Sequence, residues 1–301
     1  MKRVVSISLG SSRRDHKTTA EFGGQAFSIE RIGTDGDKKK AVALIRELDG
    51  KVDAFGMGGT DLYIYAGRRR YTFQDSLEIA RAACLTPIVD GSGIKNTLER
   101  RVVRYLEEKE AAAFENKKTL VVCAVDRFGL AEELVSAGSQ VVFGDLLFGL
   151  GIPVPIRSLT SLERLARLIA PVITLLPIQL FYPTGDKQKE NIPRFSNYFY
   201  EADVIAGDFH YIRRFMPANL EGKMVITNTV TKEDEQLLKE RGVAMLVTTT
   251  PELGGRSFGT NVLEGVLVAL AGKKPEVLTI KDYECILDDI GVLPRIQRLN
   301  G

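Results

Sequence analysis

Asp90 and Lys95 sit five residues apart in Asp90-Gly91-Ser92-Gly93-Ile94-Lys95, directly after a short apolar run. A lysine beside a carboxylate can have its charge and position set so that it moves a proton. Asp61, behind Gly58-Gly59-Thr60, competes for the same role, although in such a turn an aspartate also serves the backbone alone. His210, one of two histidines, lies in Gly207-Asp208-Phe209-His210 and titrates near neutrality. Lys95, Asp90, Asp61 and His210 are therefore the expected catalytic residues; the plainer alternative for Lys95 is a solvated side chain on a first helical turn. No two histidines have metal-ligand spacing and no nucleophile elbow is present, so no metal is expected and hydrolase chemistry is disfavoured. Cys84, Cys123 and Cys285 are isolated and odd in number, which supports neither a disulfide framework nor a zinc site.

A second group of residues belongs to the stretch 119–145, TLVVCAVDRFGLAEELVSAGSQVVFGD. Two Val-rich runs without alternation flank a helical pattern that closes at Gly138, which is the grammar of a βαβ unit with parallel strands. Asp145 follows Asp126 by 19 residues, where a carboxylate can hold the ribose hydroxyls of a dinucleotide. The turn reads Asp126-Arg127-Phe128-Gly129 in place of G-x-G-x-x-G, and Asp126 suits a helix N-cap as well as a binding turn. Similar strand ends recur at Gly207-Asp208, Asn228-Thr229 and Thr248-Thr249, so a doubly wound sheet would align them along one crevice. The expected cofactor-binding residues are Asp126, Arg127, Phe128, Gly129, Asp145, Asn228, Thr229 and Thr248, with Arg127 and Arg256 as the cations suited to a phosphate. A carboxylate at Asp145 favours NAD, with NADP as the second choice.

The elements that must position these residues form an α/β protein. Strands at 4–9, 18–22 and 26–32 read as a meander, a helix over 38–48 leads to a strand at 52–57, and a hairpin spans 62–73. Helices over 74–83 and from the end of the loop 90–97 to about Glu110 follow, then the βαβ unit, a helix over 161–169 and further βαβ grammar from Asp203 to Thr248. The expected fold is an N-terminal α/β domain (1–114) plus a Rossmann-type doubly wound parallel-sheet domain (115–275), with a C-terminal helix (276–301) packing back on the first. The apolar window 168–182 is too short and too broken by Pro171 and Pro177 to span a membrane, and suits a buried helix pair or a subunit interface.

Composition narrows the classes. With 41 Lys+Arg against 39 Asp+Glu the formal charge is +2, too small to imply nucleic acid, and 44% hydrophobic residues describe an ordinary globular protein. No apolar signal region follows the basic start, so a cytoplasmic location is expected. The expected partners are a small-molecule substrate and, as an option, a second copy of the chain; no nucleic acid or membrane is expected.

Several stretches, GTDGD (33–37), DAFGMGGTD (53–61), VDGSGIKNTLERR (89–101), VDRFG (125–129), ADVIAGDFHYIRRFMP (202–217) and ITNTVTKED (226–234), together resemble the shikimate/quinate 5-dehydrogenase superfamily, in particular a divergent bacterial group named quinate 5-dehydrogenase. The resemblance implies an oxidoreductase transferring hydride between a nicotinamide cofactor and an alicyclic hydroxy acid such as quinate or shikimate, with a Lys and Asp pair handling the proton. The glycine-rich phosphate turn of that superfamily is replaced here by Asp126-Arg127-Phe128-Gly129, and Lys95 with Asp90 is assigned from chemistry rather than from a motif. The alternative is a non-catalytic or regulatory small-ligand-binding protein on a degenerate Rossmann-type fold.

Overall fold

Val4, Val5 and Ile7 are buried because the first strand runs through the middle of a sheet. In the computed structural model, which describes residues 1–66, 69–109, 112–176, 190–253, 256–257 and 259–300, β1 (Lys2–Ser8) lies between β3 (Gln25–Gly33) and β4 (Ala54–Gly58) and is parallel to both. Between β1 and β3 the chain forms β2 (His16–Phe22), which turns at Gly23-Gly24 to pair antiparallel with β3 on the outer side. The expected meander is thus limited to β2 and β3. An almost unbroken apolar strand needs cover on both faces, which a central parallel position provides and a meander edge does not.

Helix α1 (Lys38–Leu48) starts at Asp37, whose carboxylate accepts from the amide of Lys40. It buries Ala41 and Ile45 against Ile7, Phe55 and Met57. A hairpin, β5 (Tyr63–Ala66) with β6 (Arg69–Thr72), precedes α2 (Gln74–Ala80), and β7 (Ile88–Val89) closes the sheet in the order β2-β3-β1-β4-β7. Ile64 and Tyr71 of the hairpin pack not on this sheet but on the core of the second lobe.

From β7 the chain enters α3 (Ser92–Glu108). Its Ile94 and Leu98 belong to a cluster of the first lobe, whereas Val102, Val103 and Leu106 belong to the core of the second. The second sheet contains β8 (Lys118–Val121), β9 (Gln140–Phe143), β10 (Val204–Ala206), β11 (Met224–Thr227) and β12 (Met245–Thr248), all parallel. Helices α4 (Phe128–Ser136) and α5 (Leu159–Ile173) cover one face. The other face is covered by α6 (Ser196–Glu201), α7 (Phe209–Phe215) and α8 (Lys232–Glu240), through Phe199, Ile212, Phe215 and Leu238. The apolar window expected to reach Tyr182 and the polar stretch beyond it fall partly in 177–189, outside the described residues.

After the two-stranded β13 (Glu252–Leu253) and β14 (Arg256–Ser257), the chain returns to the first lobe as α9 (Thr260–Ala271), with Val262, Val266 and Ala269 against Val4, Phe27 and Ala54. Helix α10 (Ile280–Asp289), opened by a reciprocal cap between Thr279 and Asp282, packs Tyr283 and Leu287 against α3 and α9. Then β15 (Arg295–Arg298) crosses over once more and pairs antiparallel with β12, giving the order β15-β12-β11-β10-β8-β9. The architecture is therefore mixed α/β with two lobes, each a mainly parallel sheet with helices on both faces. The lobes are joined by three crossings, after α3, before α9 and before β15.

Glu264, buried on α9, accepts from the amide of Gly91 (2.7 Å) and the hydroxyl of Tyr283 (3.1 Å), and so ties α9 to α3 and α10. Burial, with Asp90 adding to it, pushes its carboxyl from an ordinary 4.5 up to about 8. The folded chain thus keeps a proton that the unfolded chain releases. The stabilising contribution is whole below the unfolded value and is lost as pH rises from about 4.5 through about 8. Glu264→Gln is expected to flatten the fall in stability between pH 5 and 8, measured as denaturation midpoints of both proteins across that range; parallel profiles would refute the assignment.

Candidate functional site

The C-terminal ends of both parallel sheets open into one cleft of about 840 Å³. Such an edge exposes backbone amides and helix starts, where open α/β sheets bind their ligands. One wall comes from the loops after β1 and β4, which touch where Gly59, at φ +67°, approaches the amide of Gly10; a Cβ there would lie 2.9 Å from that nitrogen. Only glycine makes this left-handed, close-packed turn without strain. The opposite wall comes from the ends of β10 and β11 and the starts of α7 and α8.

The floor is a buried charged network centred on Arg127, whose side chain is 4% exposed. Its Nη1 donates to Glu99 Oε1 (2.9 Å) on α3 and its Nη2 to Asp208 Oδ2 (2.8 Å) at the start of α7. Asp208 also accepts from the Asn228 side chain (2.8 Å) and from the amide of His210 (2.9 Å). Burial works to raise the Asp208 carboxyl, but Arg127, His210 and that amide outweigh it and hold it at about 2. Glu99 goes the other way, raised by burial in spite of Arg127 and Lys95. Lys95 Nζ stands 3.2 Å from Asp126 Oδ2. Burial disfavours its charge, yet Asp126 and Asp61 more than compensate and hold it protonated above the usual lysine range.

Eight residues singled out by sequence, Lys95, Asp90, Asp61, His210, Asp126, Arg127, Asn228 and Thr229, line this cleft. Asp90 accepts from the amides of Leu62 (2.6 Å), Tyr63 (3.1 Å) and Ser92 (3.1 Å) and from the Ser92 hydroxyl, so it pins two loops together. His210 is held toward its neutral form by burial, with Arg14 of the first lobe contributing against Asp208. The other four lie away from the cleft lining. Phe128 packs in the core of the second lobe. Thr248 is fully buried and donates to the carbonyl of Thr250. Asp145 turns inward to accept from the amides of Ala124 and Val125, both 2.9 Å, and burial pushes it up to about 6. Gly129 is required for helix packing: a Cβ there would lie 2.7 Å from the Asn96 carbonyl on α3, and Asn96 Oδ1 accepts from its amide.

Sequence reasoning missed Ser8 at the end of β1, Gly10, Arg13 and Arg14 on the loop after it, and Arg213, Arg214 and Lys232 on the facing wall. The signal was present in Ser11-Ser12-Arg13-Arg14, but recognising it as a strand-end loop required β1 to be a parallel strand. The side chain of Arg256, an expected phosphate cation, lies outside the described residues.

A family model described as a domain of unknown function, DUF8754, matches residues 93–299, and a second, DUF8753, matches residues 3–90. No curated protein matches the chain. Among solved structures, GanP, a glucose-galactose binding protein from Geobacillus stearothermophilus, is similar at 8% identity over 99% of this chain and 97% of that one, with a TM-score of 0.39. An ABC transporter solute binding protein from Agrobacterium vitis bound with alpha-D-tagatopyranose aligns at 12% identity over 90% and 89%, TM-score 0.40. The periplasmic binding protein component of the arabinose ABC transporter from Shewanella sp. ANA-3 aligns at 9% over 91% and 87%, TM-score 0.34.

The families that match are domains of unknown function and not shikimate/quinate dehydrogenases, so the resemblance stated from sequence is corrected. The expected oxidoreductase function and the NAD or NADP cofactor fall with it. The physical reason lies in the turn 126–129: α3 occupies the space where a pyrophosphate would approach Gly129, and Asp145 is buried, its Oδ1 accepting from backbone amides rather than facing a ribose. The expected cytoplasmic location is not carried forward. Among the described residues no helix is long and apolar enough to cross a membrane.

Arg127→Met would leave Glu99 and Asp208 buried without their shared cation, at an expected cost of about 3–5 kcal/mol. Arg127→Lys should recover little of it, because one ammonium cannot reproduce two divergent guanidinium bonds. Chemical denaturation of both variants checks this, and a loss under about 1 kcal/mol for Arg127→Met would count against the network.

Proposed function

The chain belongs to the DUF8754 family, a domain of unknown function, and we propose from its cleft that it is a small-ligand-binding protein that holds a polar metabolite between its lobes without transforming it. The observation that carries this reading is a cleft of about 840 Å³, the size of a small-molecule site, at the carboxyl ends of two parallel sheets. Its polar lining of Ser8, Ser11, Asn228, Thr229 and Thr260, with exposed loop amides, suits a hydroxylated ligand that exchanges water for hydrogen bonds on both walls.

The charge states favour binding over turnover. Lys95 is fixed as a cation against Asp126, Asp90 is committed to backbone amides, and His210 is buried toward its neutral form. A general acid or base works best with its pKa near the operating pH and its proton exchangeable with substrate. These groups instead make a rigid polar floor, and rigidity lowers the entropic cost of holding a ligand.

Native mass spectrometry of gently purified full-length protein is expected to show a small-molecule adduct. Thr229→Trp, which places an indole in the cleft, should abolish that adduct while leaving the fold intact by circular dichroism. An adduct that persists unchanged in this variant would remove the cleft from consideration as the binding site.

A further inference from the structure

We propose that the ligand carries a phosphate monoester, seated at the cleft mouth between Arg13 and Arg14 of the first lobe and Arg214 and Lys232 of the second. This deepens the binding reading above and rests on it. The two cationic groups come from different lobes but line one cleft, and Arg14 is near enough to His210 across it to act on that side chain's charge.

The negative charges of the same cleft are largely engaged. Asp126 pairs with Lys95 (3.2 Å), Asp208 with Arg127 (2.8 Å), Asp234 with Arg213 (2.6 Å) and Glu235 with Arg295 (2.6 Å), while Asp90 is held by amides. By contrast Arg13, Arg214 and Lys232 have no ion-pair partner among the described residues. Arg214 is held over the Phe215 ring, 5.5 Å from its centroid, and its Nε is buried with no hydrogen-bond partner among the described residues. The fold has therefore positioned this guanidinium without neutralising it.

Opposed cations distinguish phosphate from carboxylate. One arginine fork satisfies a planar carboxylate, whereas a phosphate monoester carries up to two charges and three acceptor oxygens that point in different directions. Cations on both walls match that geometry, and in the first turn of α8 the carboxylates of Asp234 and Glu235 are already paired with Arg213 and Arg295.

The test is calorimetric titration of the full chain with inorganic phosphate, ribose 5-phosphate and ribose at fixed ionic strength. Phosphate and ribose 5-phosphate are expected to bind, with ribose at least tenfold weaker than its phosphate. Arg13→Gln, at an exposed position, and Arg214→Gln should each weaken both phosphate ligands at least fivefold, with the folded spectrum unchanged. Ribose binding as tightly as its phosphate would overturn the proposal and leave the binding reading standing. Phosphate affinity unchanged in both variants would likewise overturn it. If neither phosphate ligand binds, the proposal fails, and an adduct seen by native mass spectrometry then decides whether the binding reading survives it.

Discussion

Arg127 is the point on which the rest of the structure depends. It has two buried carboxylates as partners, Glu99 on α3 and Asp208 at the start of α7, and these belong to segments far apart in the chain. Burying a guanidinium with two carboxyl groups is costly unless each finds a partner in good geometry, and a planar guanidinium with divergent donors meets that requirement. Once it is met, the start of α4 is fixed against α3, and Asp208 and Asn228 set the ends of β10 and β11. The cleft inherits its shape from this arrangement: the ion network makes the floor, and the loops above it are left to meet the ligand.

The same network explains why a sequence that reads like a nucleotide-binding unit does not build one. A dinucleotide turn keeps open space and unpaired amides at the start of its helix. Here the corresponding space is filled from the side, because α3 approaches closely enough that residue 129 must be glycine. The glycine that suggests a phosphate turn is retained for helix packing, and the acid that suggests a ribose contact is turned onto the backbone of its own strand crossing.

Much of the fold was legible from residue pattern. The βαβ unit at 119–145, the capped helix after Thr231 and the helix from Asp37 are local features; the last two carry side-chain caps, whereas α4 starts at Arg127 without the cap that Asp126 suggested. Eight of the site residues could be found because strand ends in parallel sheets carry polar residues in recognisable places. What escaped were relations between distant segments. Nothing local in β1 says that β3 lies parallel beside it, and so nothing marks Arg13 and Arg14 as part of a strand-end loop. The alternation in β15 is too short to show that it returns to β12. Residue type likewise cannot tell an aspartate that faces a ligand from one that, like Asp145 or Asp90, is spent on amides.

Helix α3 has a consequence for how the molecule comes apart. Its first half is packed in one lobe's apolar cluster and its second half in the other's, and the β5–β6 hairpin adds a second tie by laying Ile64 and Tyr71 on the far core. Loss of either lobe would strip half of this helix of its burial and expose an apolar stripe to water, at a cost set by the area uncovered. The lobes are thus thermodynamic neighbours with a shared structural member rather than two modules on a string. A partly unfolded chain with one lobe intact is the species this architecture disfavours.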